Sequence, residues 1–382
     1  MFAPFNFDPV DMPTSARKLR ERVRAFLREQ EVNWDPAQKA KSWTGFDREF
    51  SREVGKQGWI GMTWPKAYGG GDYSMIERYI VLEEMLAVGA PVFAHWIADR
   101  QSGPLLLRVG TEAQKSQYLS PITRGEYAFC IGLSEPDSGS DLASVRTRAE
   151  RIPGGWRLNG RKIWTTNAHF CEYMIALVRT SGGAKDRQVG LSQFLIDLQS
   201  SGVEVRPIND LTSEAHFNEV TFDDVLLGED ALVGAEGQGW AQVNSELAFE
   251  RSGPDRYLSL YPLLTSLIDE VRQSSGQMDI NQRRIGQAFA ELAVLREMSV
   301  SVAGQLQRGD APNNEAAVMK ELGVGLEQRI PDLVRECAGS QPAARDLSEM
   351  LLVATQLAPT FSLRGGTREI VRGIIARGLG LR

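Results

Sequence analysis

Cysteine and histidine are scarce in this chain. Its 382 residues include three cysteines, Cys130, Cys171 and Cys337, which are widely spaced and form no CxxC motif. An odd number of separated cysteines supports neither a disulfide framework nor a zinc site, and a reducing, cytoplasmic location is predicted. The three histidines stand in no HExxH or similar ligand spacing. We therefore expect no metal site, and the pattern argues against a metal hydrolase.

Long apolar runs and an excess of positive charge are also missing. Charged residues interrupt the apolar stretches well before the roughly eighteen residues that a membrane span needs. Residues 1–8 contain neither a basic start nor an apolar core, so no anchor or secretion signal is expected. The net charge of -6, without an Arg/Lys-rich stripe, argues against nucleic acid as a partner. A basic pocket for a single anionic ligand remains open.

Apolar residues make up 42% of the chain, enough for a large core, and the length predicts two or three packed units. Helical periodicity dominates first, short β-rich runs follow, and helical periodicity then returns. We predict an N-terminal helical domain (1–125), a middle β-domain (126–236) and a C-terminal helical domain (237–382). Because βαβ alternation is missing, the predicted fold class is mainly α with a β insert rather than a doubly wound sheet.

A polar loop between Cys130 and Glu150 stands out. Cys130–Leu133 has the pattern of a short buried strand, and SEPDSGSD at Ser134–Asp141 contains small and turn-forming residues. Such a loop presents backbone N–H groups and hydroxyls to an anionic group. Composition alone favours an ordinary solvated turn, so the functional interpretation depends on neighbouring motifs.

A second motif, RKIWTTN at Arg161–Asn167, follows shortly after the loop. The preceding Asn159-Gly160 is a strong signal for a type I′ hairpin turn. We therefore predict a hairpin at this dipeptide, with Trp164 and Thr166 at the end of the returning strand. An aromatic face and a hydroxyl would then lie beside the polar loop. For Trp164 alone, packing in the core is the simpler interpretation.

These two segments, together with RGGTREI at Arg364–Ile370, closely resemble the signatures of the acyl-CoA dehydrogenase flavoprotein family. The resemblance covers almost the whole chain and includes Gly58–Pro65, Tyr68–Gly70 and Gly103–Thr111. It implies an acyl-CoA dehydrogenase-like fold with an N-terminal helical domain, a middle β-barrel domain and a C-terminal four-helix bundle. It also implies FAD as the cofactor, between the middle and C-terminal domains.

Motif positions in the family imply the roles of single residues toward FAD. Ser134 would offer its N–H and hydroxyl to the flavin ring, and Thr166 would reach N5. Trp164 would pack on the isoalloxazine, and Ser140 would reach the pyrophosphate. Donors at the N1–C2=O edge suit a flavin because negative charge accumulates there on reduction. The predicted FAD-binding residues are Leu133, Ser134, Gly139, Ser140, Trp164, Thr166, Arg283, Thr367 and Glu369.

Three of these residues carry weaker assignments. Thr367 and Glu369 also fit a local role as the N-cap and first turn of a helix, and the two roles are compatible. Arg283 lies in a poor match to the Arg-x-x-Phe-Gly segment with which relatives reach the adenine from a neighbouring subunit. The Gln-x-x-Gly-Gly segment of relatives is matched equally poorly at Arg335–Ser340. This divergence resembles a bacterial branch whose related chains form heterotetramers, so a homotetramer and a heterotetramer with a related chain both remain open.

The resemblance implies α,β-dehydrogenation of an acyl-CoA thioester, which needs a carboxylate to take the α-proton. Many relatives carry this base directly before the Gly-Thr of the C-terminal motif, where this chain has Gly365. Another branch holds it in a Glu-Arg pair, which matches Glu250-Arg251 in the apolar context LAFERSG. Burial raises the pKa of a carboxylate toward that of a useful base. We predict Glu250 as the base; the alternative is a solvated ion pair with Arg251.

Arg251 is expected to stabilise charge beside the base, and Gly365 and Gly366 to let a backbone N–H polarise the thioester carbonyl. The implied product is the trans-2-enoyl-CoA, as in fatty acid metabolism, with electrons passed to an electron-transferring flavoprotein. A flavin-dependent monooxygenase or oxidase, which would not need Glu250, is one alternative. A non-catalytic partner subunit, which would not need the intact LSEP and WTT motifs, is the other.

The acyl group is the least constrained part of the prediction. Gly253-Pro254 is expected to loosen or kink the helix of Glu250 and so widen the pocket. Trp96 falls, in a rough alignment, where relatives close the acyl channel, and an indole there would shorten it. As an ordinary core residue it would have no such effect. A wide, shallow pocket predicts branched, cyclic or otherwise bulky short acyl-CoAs as substrates.

Overall fold

The structure, a computed structural model, describes residues 5–273, 278–338 and 344–381; the side chains of residues 184, 246–250 and 278–280 also lie outside that description. The chain divides into two compact units. Unit 1 contains Met1–Gly45, Tyr73–Val92 and Ala248–Arg382, and unit 2 contains Phe46–Asp72 and Phe93–Leu247.

Helices flank a strand-rich middle segment, which confirms the predicted class of mainly α with a β insert. The α-helices are α1 (Thr14–Gln30), α2 (Pro36–Lys41), α3 (Arg48–Lys56), α4 (Met75–Ala87), α5 (Phe93–Ile97), α6 (Gly103–Val109), α7 (Glu112–Thr123), α8 (Gly239–Glu250), α9 (Tyr261–Gln273), α10 (Met278–Gln307), α11 (Asn313–Ala338), α12 (Arg345–Phe361) and α13 (Arg368–Gly378). The strands are β1 (Phe129–Gly132), β2 (Arg148–Ile152), β3 (Gly155–Thr166), β4 (Tyr173–Arg179), β5 (Leu191–Asp197), β6 (Val203–Ile208), β7 (Phe217–Gly228) and β8 (Leu232–Val233). Within the described ranges, no helix is both long enough and apolar enough to cross a membrane.

Unit 1 is built from amphipathic helices. Leu19, Val23 and Leu27 recur at helical spacing on α1 and are buried. This face packs against α4, which begins with a capping box formed by Ser74 and Glu77. Helices α9, α10, α11 and α12 pack on one another as the predicted four-helix bundle, and α13 packs against α11.

Buried carboxylates join three of these helices. Glu83 on α4 is 2.7 Å from Arg20 on α1 and 2.6 Å from Arg296 on α10. The adjacent Glu84 pairs with Arg20 and with Arg24 at 2.8 and 2.6 Å. Removing one partner of such a pair would leave an uncompensated charge in a buried place. The pairs therefore restrict how α1, α4 and α10 can pack.

Unit 2 is centred on one mixed sheet. Its strand order is β6-β7-β3-β2-β4-β5-β8, and β1 pairs in parallel with β4. A single parallel pair, Arg148 opposite Arg179, joins β2 to β4. Strand β1 also contacts β3. Because β1 leads into the polar loop and β3 ends at Thr166, the sheet brings the two motifs of the middle segment to neighbouring positions.

The predicted hairpin at Asn159-Gly160 is wrong. Both residues lie inside β3, and the turn from β2 to β3 is formed instead by Pro153 and Gly154, where Gly154 has φ +81°. Asn159 bonds with its side chain to the main-chain N–H and the carboxylate of Asp224 at 2.8 and 2.9 Å. Gly160 has φ +142°, and a Cβ there would meet Thr147 Cα at 2.6 Å. The dipeptide thus lies at a bulge in β3, where the main chain approaches Thr147 closely, rather than in a turn.

Gly323 on α11 provides a test of the packing in unit 1. A Cβ at this position would lie 2.2 Å from the main-chain oxygen of Arg256, whereas at Gly325 the nearest described atom would be Arg368 Nη2 at 3.9 Å. We expect Gly323→Ala to lower the free energy of unfolding by about 1–3 kcal/mol through overpacking. Gly325→Ala should raise it by about 0.5–1 kcal/mol because alanine favours the helix. Urea unfolding measures both changes, and equal effects of the two variants would contradict this account.

Candidate active site

The polar loop after β1 is closed by its own main-chain hydrogen bonds, and part of it is exposed to solvent. The main chain of Glu135 donates to Ser138 O at 2.8 Å and accepts from Ser138 N at 3.0 Å. Ser134 is half-buried, whereas Gly139 and Ser140 are exposed. The loop therefore fixes its own shape and leaves these three predicted cofactor-binding residues accessible.

A buried ion pair supports this loop. Lys162 Nζ donates to Glu135 Oε1 at 2.8 Å and to Leu133 O at 3.1 Å, and the lysine side chain is 0% exposed. The same carboxylate accepts from the N–H groups of Arg146 and Thr147 at 2.7 and 2.9 Å. Burial lowers the pKa of Lys162 to about 8, against the opposing effect of Glu135. Burial alone would raise the pKa of Glu135, but Lys162 and the N–H donors bring it below its ordinary value.

Strand β3 leaves regular geometry beside the loop. Its pairing with β7 shifts between Lys162 and Thr165, and Trp164 has φ +60°. This backbone conformation is a genuine outlier for a bulky residue and costs free energy. The indole is 57% exposed and meets Phe217 edge to face, with 6.0 Å between ring centres. Core packing of Trp164 is therefore ruled out, and a strained, exposed indole at a bulge indicates a functional position.

The loop and the end of β3 are joined directly. Ile163 N donates to Ser134 O at 2.9 Å. Thr166 ends the strand opposite Phe217 and is half-buried. The polar loop and the end of β3 thus carry six of the predicted cofactor-binding residues: Leu133, Ser134, Gly139, Ser140, Trp164 and Thr166.

Arg179 on β4 is a second buried cation, which no sequence motif singled out. Its guanidinium donates at 2.8–3.2 Å to the main-chain oxygens of Ala143, Val145, Arg187 and Val189. Burial lowers the pKa of Arg179. The residue ties the end of the polar loop to the connection between β4 and β5. That connection lines an open depression of about 670 Å³ together with Gly237 and Trp240.

In unit 1, buried cations hold the Gly365-Gly366 turn. Both glycines have positive φ, +66° and +92°. Arg251 Nε donates to Gly365 O at 3.0 Å, and Lys320 Nζ donates to Gly366 O. Arg251 and Lys320 are both buried. Left-handed backbone at two successive residues explains why glycine occupies both positions.

Arg364 anchors the start of the same turn. Its guanidinium donates to the carboxylate of Glu327 and to Asp255 O, the latter at 2.8 Å. It also lies over the rings of Trp43 and Phe361, 5.0 and 4.6 Å from their centres. Burial raises the pKa of Glu327 despite the nearby guanidinium, and burial lowers the pKa of Arg364. The motif RGGTREI contains this arginine, but no local pattern indicated its distant partner.

The local role predicted for Thr367 is confirmed. Its Oγ1 accepts from Ile370 N at 3.5 Å, and Thr367 is the N-cap of α13. Glu369 is exposed in the first turn, where a main-chain hydrogen bond lowers its pKa. Arg283 is an exposed residue of α10. The described contacts of unit 1 thus bring together Arg251, Gly365, Gly366 and Thr367, with Glu369 one turn further along.

Glu250 is the last residue of α8, and its side chain lies outside the described residues. The helix ends there rather than kinking, and Pro254–Arg256 forms a short 3-10 turn after Gly253. The expectation that Gly253-Pro254 kinks the helix is therefore wrong, because the helix has already ended. Across the described part of the chain, no group of three or more His, Cys, Asp or Glu side chains is placed to hold a metal ion.

Family models match the chain in three consecutive parts. The acyl-CoA dehydrogenase N-terminal domain matches residues 13–126, the middle domain residues 130–225 and the C-terminal domain residues 237–380. Two relatives from Mycobacterium tuberculosis are similar over most of their length. Acyl-CoA dehydrogenase IpdE1 is 32% identical over 87% of this chain and 88% of its own. Acyl-CoA dehydrogenase FadE29 is 29% identical over 96% of this chain and 97% of its own.

A solved structure shows similarity in three dimensions. The ChsE4-ChsE5 complex from Mycobacterium tuberculosis contains a chain with a TM-score of 0.84 and 26% identity, covering 98% of this chain and 100% of that one.

The backbone of Trp164 provides a test of this site in the ligand-free chain. Asparagine adopts positive φ more readily than tryptophan, so Trp164→Asn should leave the free energy of unfolding unchanged or raise it by up to about 1 kcal/mol. The control is Leu226→Asn on β7, an equally exposed apolar strand residue without positive φ. It should lower the free energy by about 1 kcal/mol through lost β-propensity. Urea unfolding distinguishes them, and an equal loss in both would show that Trp164 carries no strain.

Proposed function

The chain belongs to the acyl-CoA dehydrogenase family, and we propose that it dehydrogenates an acyl-CoA thioester to the trans-2-enoyl-CoA with FAD as cofactor. The family is one of oxidoreductases, and its members bind FAD. The observation that carries the proposal for this chain is the exposed indole of Trp164. Its backbone is strained at the point where β3 meets the hydroxyl-rich loop. Strain of this kind is retained where a ligand uses the side chain.

The residues of unit 2 fit FAD by their chemistry. A flat tricyclic ring needs an aromatic face and neutral donors, and Trp164, Ser134 and Thr166 provide these groups. The exposed Gly139 and Ser140 offer main-chain and hydroxyl donors of the kind that hold a pyrophosphate. We assign Leu133, Arg283, Thr367 and Glu369 to the same cofactor on their motif positions. Bound FAD supplies the acceptor for the β-hydride.

We propose Glu250 as the base that takes the α-proton. Gly365 has no side chain to supply one. The two described carboxylates that contact this motif are already paired with cations: Glu327 binds Arg364, and Glu321 binds Arg368 at 2.6 Å. Against the effect of burial, Arg368 lowers the pKa of Glu321. Glu327, whose pKa burial raises, is already engaged by the Arg364 guanidinium, so neither carboxylate is placed to accept the substrate proton. The assignment of Glu250 rests on the match of Glu250-Arg251 to the family branch that holds its base in a Glu-Arg pair.

The Gly365-Gly366 turn is proposed to polarise the thioester carbonyl. In a trans peptide the C=O and the following N–H point in opposite directions. Since Gly365 O faces Arg251 and Gly366 O faces Lys320, the N–H groups of Gly366 and Thr367 point away from these cations. These N–H groups do not face the cations. Either of them can donate a hydrogen bond to the enolate oxygen that develops when the α-proton leaves.

Partners and substrate are inferred more indirectly. We propose an electron-transferring flavoprotein as electron acceptor, a cytoplasmic location, and a homotetramer or heterotetramer. The similarity to a chain of the ChsE4-ChsE5 complex supports a related partner chain. Trp96 is 1% exposed and carries the Arg100 guanidinium 5.1 Å above its ring, so its indole is held in place. We propose that this indole closes the far end of the acyl pocket and keeps it short.

The visible spectrum of the purified chain, alone and co-expressed with a candidate partner, tests the activity. We expect flavin absorbance that bleaches anaerobically on addition of a substrate acyl-CoA. Glu250→Gln should keep the flavin but lower the rate of its reduction by at least about 10³-fold, because an amide accepts no proton. Glu49→Gln, at a 78% exposed side chain, is the control and should reduce normally. Absence of FAD from every preparation would refute the cofactor assignment, and rapid reduction in Glu250→Gln would refute the base. Turnover that requires O2 would favour the oxidase alternative.

Substrate choice is tested by comparing kcat/KM for isobutyryl-, cyclohexanecarboxyl-, octanoyl- and palmitoyl-CoA. A short pocket should give the highest values for the short branched and cyclic thioesters, since a long chain could not be accommodated. Trp96→Ala should shift the preference toward octanoyl-CoA. The highest value for palmitoyl-CoA in the unmodified chain would contradict the proposal.

A further inference from the structure

We propose that the buried pair Lys162–Glu135 is a positioning device that holds the polar loop against β3 in the geometry that FAD requires. This inference rests on the proposed use of FAD. Neither residue is assigned to cofactor or substrate, and both belong to unit 2. They are positioning residues, because they would act through Ser134 and Trp164 rather than by touching the flavin.

The first observation is the continuity of the contacts. Lys162 Nζ binds Leu133 O and the Glu135 carboxylate, while Ile163 N binds the intervening Ser134 O. Three successive loop residues are thus fastened to two successive strand residues. These contacts use main-chain oxygens and the Glu135 side chain, so the Ser134 hydroxyl is not consumed by them. The loop and the strand therefore behave as one piece at this point.

The second observation is the interruption of β3 at the same place. Lys162 pairs with Val220 on β7, and the next paired residue is Thr165. The intervening segment, which includes the strained Trp164, lacks register with β7. The Trp164 ring contacts Phe217 of β7, and the main chain of the segment is bonded to the loop through Ile163 N and Ser134 O. Weakening the anchor of the loop should therefore release Trp164 from its strained conformation as well.

The third observation concerns energetics. A fully buried ion pair pays a large desolvation penalty, and an apolar pair of similar volume is often as stable. Desolvation outweighs the attraction for Lys162, whose pKa is lowered, whereas Lys162 and the N–H donors outweigh it for Glu135, whose pKa is also lowered. Stability alone is thus a weak reason for two charges here. A charged pair does, however, fix a single geometry, because any displacement leaves an unsatisfied charge.

The experiment separates geometry from stability with three variants. Lys162→Met removes the ammonium, and Lys162→Met/Glu135→Gln removes both charges. Arg161→Met is the control, because Arg161 is the neighbouring cation on β3 and its side chain is 51% exposed. For each variant we would measure the urea midpoint of the FAD-free chain. Quenching of flavin fluorescence gives the Kd for FAD, and the absorption spectrum of the bound flavin is recorded as well.

We expect Lys162→Met to weaken FAD binding by about 10–100-fold, the equivalent of one charge-assisted hydrogen bond. The double variant should recover the urea midpoint of the unmodified chain but bind FAD as weakly as Lys162→Met and shift the flavin absorption bands. Arg161→Met should change none of these. If Lys162→Met fails to fold, the double variant decides the question by the same comparison.

Undiminished FAD affinity in the folded double variant would overturn the inference while leaving the proposed function intact. Failure of the double variant to fold would also overturn it, because the pair would then be required for the fold itself. If the unmodified chain binds no FAD either alone or co-expressed with a partner, the proposed function is refuted, and this inference with it.

Discussion

Buried cations that donate to main-chain carbonyls hold the irregular segments of this chain. Lys162 and Arg179 do so in unit 2, and Arg251 and Lys320 do so in unit 1, together with the half-buried Arg364. Loops and turns lack the regular partners that satisfy carbonyls in helices and sheets. A buried charge supplies strong donors, although its desolvation is costly. The main chain of the segments proposed to bind cofactor and substrate is therefore held in place by hydrogen bonds from these cations.

Much of the architecture follows from local patterns. Helical spacing of apolar residues predicts α1 and a helical C-terminal segment, and the resemblance implies the bundle. The three motifs identify the family, which the family models confirm. The failure at Asn159-Gly160 is instructive. A two-residue signal that is strong in isolation is overridden by Asp224, 65 residues later, which binds the Asn159 side chain and keeps the dipeptide in a long strand. A pattern read from a few neighbouring residues cannot indicate a partner so far away in the sequence.

The same limit applies to the site. Motifs selected the segments that we propose bind cofactor and substrate, including the indole of Trp164 and the glycine turn. They did not predict what fixes those segments, since Lys162 finds Glu135 at a separation of 27 residues and Arg364 finds Glu327 at 37. Several carboxylates compete for each cation in the sequence, and only the tertiary packing selects one. The strain at Trp164 likewise depends on a bulge that alternation of residue types does not encode.

The four carbonyls held by Arg179 have a consequence for loop exchange between relatives. A single side chain binds both the 142–145 turn and the 187–190 connection, so exchanging either segment alone would leave the buried Arg179 guanidinium without two of its acceptors. When segments are exchanged between related chains, Arg179 and both of these segments have to be exchanged together. The wall of the depression beside Trp240 is thereby linked to the end of the polar loop. A substitution in the 187–190 connection that changes the size of the depression should therefore be accompanied by a substitution in the 142–145 turn.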